Sequence, residues 1–173
     1  FDQQRLIGSL CLNQAGDGLA ISDKGRTAAE MMVFSRYVMF SEVYWHHAVR
    51  NATAMFQRAF YLWHSSHSEQ PDFESNITTL FRSSETEMVR QLQSDCQQTP
   101  AGELLANLFG PVRKLYKRVA NYSCNEHDMI YRQIAQQPYA WLMQRSFRLA
   151  ELVGKQLGRE LAEHDVLIDA PPV

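Results

Sequence analysis

Cysteine is scarce in this 173-residue chain: Cys11, Cys96 and Cys124 are widely spaced and odd in number. They form no C-x-x-C pair and no disulfide framework, so a reducing, cytoplasmic setting is expected. Long apolar runs are missing too. No stretch approaches the roughly 18 apolar residues of a membrane span, and no basic segment followed by an apolar one opens the sequence as a secretory leader would. Neither sign of charge dominates: 17 Lys and Arg stand against 19 Asp and Glu, a net charge of −2. That balance excludes a dedicated, strongly basic nucleic-acid binder. G-x-S-x-G, the P-loop, G-x-G-x-x-G and H-E-x-x-H are all absent, and with them the chemistries those motifs carry. The chain opens on Phe1 and closes on Asp169-Ala170-Pro171-Pro172-Val173, and the expectation is a piece of a longer protein.

What is present is an ordinary globular composition, 45% hydrophobic and 21% charged, with no repeat or low-complexity tract. The spacing predicts an all-α fold with a few short strands, near 19–21, 112–119 and 166–169. A short helix is expected over 3–12, with Leu6, Ile7 and Leu10 on one face, followed by turn residues from Asn13 to Gly18. From Ser22-Asp23 a long central helix is expected over about 25–63, about 60 Å at about 1.5 Å per residue. Between Met31 and Tyr44 it is apolar around its whole circumference, the signature of a helix buried on all sides or held in a subunit interface. Residues 64–83 read as a polar loop. Ser84 and Glu87 make a capping box that opens a helix to about 93. Thr99-Pro100 starts another, which Gly110-Pro111 ends. Pro138 divides two last helices, 125–137 and 139–163. The expected organisation is 1–63 as one helical part, 64–99 as a loop-rich connection with a short helix, and 100–173 as a helical subdomain.

The stretch from Phe34 to Arg50 carries the most chemistry. At about 100° per residue with Arg36 at zero, His47 falls at about 20°, Arg50 at about −40° and Tyr44 at about 80°. Two arginines, a histidine and a tyrosine then share one face of an apolar helix. A buried guanidinium needs a partner. Phosphate is one, because the planar fork of Arg contacts its oxygens in pairs. A carboxylate from a neighbouring helix is the other, and spacing alone leaves both open. Glu42 and His46, four apart, read as a local pair rather than a metal site. His64 and His67 lie in a polar segment without metal-ligand spacing, and His127-Asp128 reads as a helix start. The cluster of Arg113, Lys114, Lys117 and Arg118 would contact a phosphate backbone weakly or form a solvated face.

The segments Phe1-Asp2-Gln3-Gln4-Arg5-Leu6-Ile7, Ser22-Asp23-Lys24-Gly25, Arg36-Tyr37-Val38-Met39-Phe40 and Val43-Tyr44-Trp45-His46-His47-Ala48-Val49-Arg50 resemble HD-domain phosphohydrolases. The similarity is greatest to the branch of SAM-and-HD-domain deoxynucleoside triphosphate triphosphohydrolases and their bacterial relatives. Leu167-Ile168-Asp169-Ala170-Pro171-Pro172 resembles a later strand of the same proteins. The resemblance implies an all-α fold and hydrolysis of a dNTP to deoxynucleoside and triphosphate by metal-activated water. It implies a divalent metal (Mg, Mn, Fe or Zn) whose ligands lie upstream of Phe1, so that this chain holds no metal or catalytic residue and is inactive alone. By the same resemblance Arg36 contacts substrate phosphates and Tyr44 packs on the sugar. Asp2, Arg5 and His46 match positions near a regulatory nucleotide site at a subunit interface. His47 stands where the animal enzyme has lysine, and neutral histidine is a weaker phosphate partner. The implied partners are a dNTP and further copies of the chain in a homo-oligomer. The alternative is a nucleotide-binding or oligomerisation module without turnover.

Overall fold

The computed structural model describes residues 1–170, which fold mainly as helices with one two-stranded sheet. Two compact units divide the chain, Phe1–Val49 and Arg50–Val173.

The first unit opens with α1 (Gln3–Ile7), where the Asp2 carboxylate accepts from the Arg5 backbone N–H at 2.9 Å and ends the chain's freedom at the first turn. The helix expected over 3–12 stops there. Leu10–Leu12 is instead strand β1, paired antiparallel with β2 (Leu19–Ile21), Leu10 facing Ile21 and Leu12 facing Leu19. The hairpin wins because Asn13 and Asp17 bond to each other across the turn at 2.8 Å and Gly16 takes a φ of 75°, which closes the chain back on itself. A 3-10 turn, Asp23–Gly25, leads into α2 (Arg26–Met39). Gly25 is obligatory there, since a Cβ would sit 1.7 Å from Ser9 Oγ.

The long helix expected over 25–63 is interrupted. After α2 the backbone widens into a π-helical turn, Phe40–Tyr44, with Trp45 N–H donating to Phe40 O at 3.0 Å; regular helix resumes as α3 (His47–His67). Such a turn inserts about one residue and shifts the angular phase of everything beyond it by about 100°. The apolar stretch Met31–Tyr44 is also not buried: Val33, Phe34, Tyr37 and Tyr44 are exposed, Tyr37 at 68%. The unit offers only a five-residue helix and two three-residue strands as cover, too little to enclose a helix on every side.

In the second unit α3 continues through a buried stripe, Met55, Ala59 and Trp63, spaced at helical intervals. The segment read as a loop over 64–83 is helical: α3 runs to His67 and α4 spans Phe73–Arg82, with Leu80 buried among the core residues. Its polar residues are the outer face of an amphipathic helix. The capping box forms as expected, Ser84 and Glu87 exchanging bonds at the start of α5 (Glu85–Asp95). Thr99 caps α6 (Pro100–Phe109), which brings Leu104, Leu105 and Leu108 into the core. Residues 112–119 form no strand. Their groups are bonded singly, Lys114 N–H to Asn107 O and Tyr116 O to Asn51, so no ladder develops. Helices α7 (Asp128–Ile134) and α8 (Tyr139–Leu157) flank Pro138, and Gly158 ends α8 in the left-handed conformation. Residues 166–169 are likewise not a strand; side chains from α3 and α8 hold them instead.

Candidate functional site

Arg36 projects from α2 into solvent, its guanidinium 5.6 Å from the Phe40 ring centroid. Phe40 in turn packs tilted against Tyr44, centroids 5.0 Å apart. The three side chains therefore follow one another on an exposed surface of the first unit. Among the described residues no carboxylate lies within ion-pair distance of Arg36. The premise that Arg36 is buried fails, because the cover that buries Ala28 of α2 does not reach Arg36.

Arg50 takes the other course. Its Nε and Nη2 donate to the two Asp169 carboxylate oxygens at 2.8 and 2.5 Å, a bidentate pair within the second unit. Of the two partners left open for these arginines, Arg50 has the carboxylate. The single face drawn through Arg36, Tyr44, His47 and Arg50 assumed an unbroken helix, and the π turn removes that assumption.

His46 and His47 pack with their rings tilted, centroids 4.2 Å apart, and His46 Nδ1 accepts from the Ala48 N–H at 3.3 Å. The Glu42–His46 pair expected from i, i+4 spacing is not made, since Glu42 belongs to the π turn and His46 lies beyond its end. Asp2 is engaged as the α1 cap, and Arg5 Nε donates to Lys24 O at 2.9 Å. Of the basic cluster, Arg113 bonds to Leu108 O, while Lys114, Lys117 and Arg118 present exposed side chains on irregular backbone.

The sequence reading passed over the most buried cation in the chain. Arg58, 2% exposed on α3, donates to Glu163 O at 3.1 Å and to Ser146 Oγ at 3.0 Å, and Ser146 Oγ donates onward to Val166 O. Its Nε has no hydrogen-bond partner among the described residues, and its guanidinium lies 5.3 Å over the Phe147 ring. Tyr139 shares this environment. Burial pushes its hydroxyl up from the ordinary tyrosine value, and the hydrogen bond and charge of Arg58 oppose that rise. Nearby, buried His164 meets Glu103 at 3.1 Å. Together with Arg50–Asp169 these contacts fasten residues 163–169 to α3, α6 and α8. No sequence signal marks Arg58, because an arginine on a helix is the same letter whether its far end is wet or buried.

Among the described residues no group of three His, Cys, Asp or Glu side chains converges as metal ligands would. The residues here do not fit the metal that the phosphohydrolase resemblance implies. Nor is any helix of the described residues long and apolar enough to cross a membrane.

A family model described as "HD associated region" matches residues 1–173, the whole chain. No curated protein and no solved structure matches significantly.

Proposed function

The chain belongs to the HD associated region family, and from that premise we propose that it is the nucleotide-holding part of an HD-type phosphohydrolase that splits a dNTP into deoxynucleoside and triphosphate. The observation that carries the reading is Arg36: an exposed guanidinium without a carboxylate partner among the described residues, braced on Phe40, whose ring packs on Tyr44. A planar cation next to an exposed aromatic surface suits a phosphate chain joined to a sugar. The guanidinium fork takes two phosphate oxygens, and the Tyr44 ring offers an apolar wall to the deoxyribose. The divalent metal and the water it activates belong, in this reading, to an HD domain outside these residues. The part played by Arg36 is electrostatic, holding the phosphates where negative charge develops during transfer.

The exposed apolar surface of α2 and the π turn supports a second element of the proposal, assembly into a homo-oligomer. It equally supports the module that binds nucleotide or assembles without turnover, and activity separates the two. In the protein that joins the HD domain to this region, Arg36→Ala is expected to slow dNTP hydrolysis by about 100-fold or more, as loss of a charge-stabilising donor does elsewhere. Steady-state triphosphate release in Mg²⁺ or Mn²⁺, with circular dichroism as the folding control, is the measurement. Unchanged turnover in a folded variant removes the phosphate role. Absence of turnover in the unaltered protein, with nucleotide still bound, leaves the module.

A further inference from the structure

We propose a second ligand site in the Arg50–Val173 unit, a cleft that takes a planar nucleobase carrying a single phosphate, with adenosine monophosphate as its best match. The cleft has a volume of about 460 Å³ and is lined by Gln133, Ile134, Gln137, Trp141, Arg145 and Ile168. That size lies within the range of small-molecule sites, about 300–1,000 Å³.

Its lining sorts by chemistry. Ile134 and Ile168 supply aliphatic walls, and Trp141 supplies an aromatic one. Arg145, one turn on along α8, holds its guanidinium 4.9 Å from the Trp141 ring centroid. Five of the ten arginines of this unit are engaged, Arg50 by Asp169, Arg58 by Ser146 and Glu163 O, Arg113 by Leu108 O, Arg132 by Asp128 and Arg148 by Glu151. Arg145 has no hydrogen bond or ion pair among the described residues, although Glu151 and Arg148 on the same helix find each other at 2.7 Å. The side-chain amides of Gln133 and Gln137 and the indole N–H of Trp141 are likewise without protein partners among the described residues, and all four residues line the one cleft. Beside the cleft, Gln136, between α7 and Pro138, takes a φ of 63°, a left-handed conformation costly for a residue with a Cβ.

Each group has a natural counterpart in one ligand. A base stacks on tryptophan or on a guanidinium plane. A glutamine amide, donor and acceptor side by side, matches the N6 and N7 edge of adenine. The guanidinium takes the phosphate. This assignment stands independently of the role proposed for Arg36.

The test is titration of the chain with AMP, adenosine and inorganic phosphate, followed by the indole N–H resonance of Trp141, identified by its loss in Trp141→Phe. AMP is expected to shift that resonance and to bind about tenfold or more tightly than adenosine or phosphate, and Arg145→Gln is expected to weaken AMP by a similar factor. Arg148→Gln, whose side chain pairs with Glu151 outside the cleft, is expected to bind AMP as the parent does. Absence of AMP binding overturns the proposal. Affinity equal to that of adenosine or phosphate, or an undiminished affinity in folded Arg145→Gln, overturns it too.

Discussion

Cys96 shows how far the surroundings of a residue outrun its letter. It is 2% exposed against α5 and α6, and burial, aided by the Asp95 charge, pushes its thiol up to about 11. Cys11 and Cys124 are exposed. A thiol reagent at pH 8 is expected to titrate two thiols in the native chain, and the third only after denaturation. Burial likewise pushes the Tyr116 hydroxyl up to about 12, with Asp165 and Glu103 adding to the rise and Arg58 opposing it. Both groups bind their protons more tightly when folded. Their contribution is therefore whole below the unfolded values, 9.0 for Cys and 10.0 for Tyr, and is lost as pH rises through about 11 and 12. The urea midpoint is expected to fall steadily from pH 9 upward, and Cys96→Ala is expected to delay the onset of that fall. A midpoint that stays flat to pH 11 would contradict both burials.

At the scale of elements, α6 depends on its N-cap residue. Thr99 Oγ1 donates to Cys96 O at 2.7 Å and accepts from Gly102 N–H at 3.2 Å, so one side chain joins the end of α5 to the start of α6. Gly102 completes the joint, because a Cβ there would lie 2.0 Å from Cys96 O. Thr99→Ala is expected to cost about 1–2 kcal/mol, read as a lower urea midpoint at unchanged slope. The signal for this cap was plain in the sequence, as was that for Ser84 and Glu87, since caps involve neighbours three residues apart. The π turn at Phe40–Tyr44 left no comparable mark. It arises where the helical ladder skips a carbonyl, and bulky side chains there are as common in regular helix.

For the molecule as a whole, the outstanding feature is the surface of α2 and the π turn. Met31, Met32, Val33, Phe34, Tyr37, Val38, Met39, Phe40, Val43, Tyr44 and Trp45 are all exposed. With about half of each side chain open, they leave on the order of 1,000 Å² of apolar surface. Summed around the helix, that is comparable in size to the roughly 800 Å² per partner of a stable interface. Sedimentation of the chain is expected to show concentration-dependent self-association, and Tyr37→Glu is expected to shift it toward monomer without lowering the melting temperature. A chain that stays monomeric at high micromolar concentration would remove the oligomer from the proposal.

What the sequence determined by itself was local: helix caps, the turn between β1 and β2 with its strand at 19–21, and the mainly helical class. Each rests on neighbours a few residues apart, where periodicity and short-range hydrogen bonds act directly. The tertiary structure decided what depends on distant partners. It gave Arg50 to Asp169, 119 residues away, and buried Arg58 against Ser146 and the backbone near residues 163 and 166. It left Arg36 in water and the apolar helix uncovered, although the same residues read as buried. Hydrophobicity states that a surface should be covered; only the packing of the remaining chain decides whether anything is there to cover it.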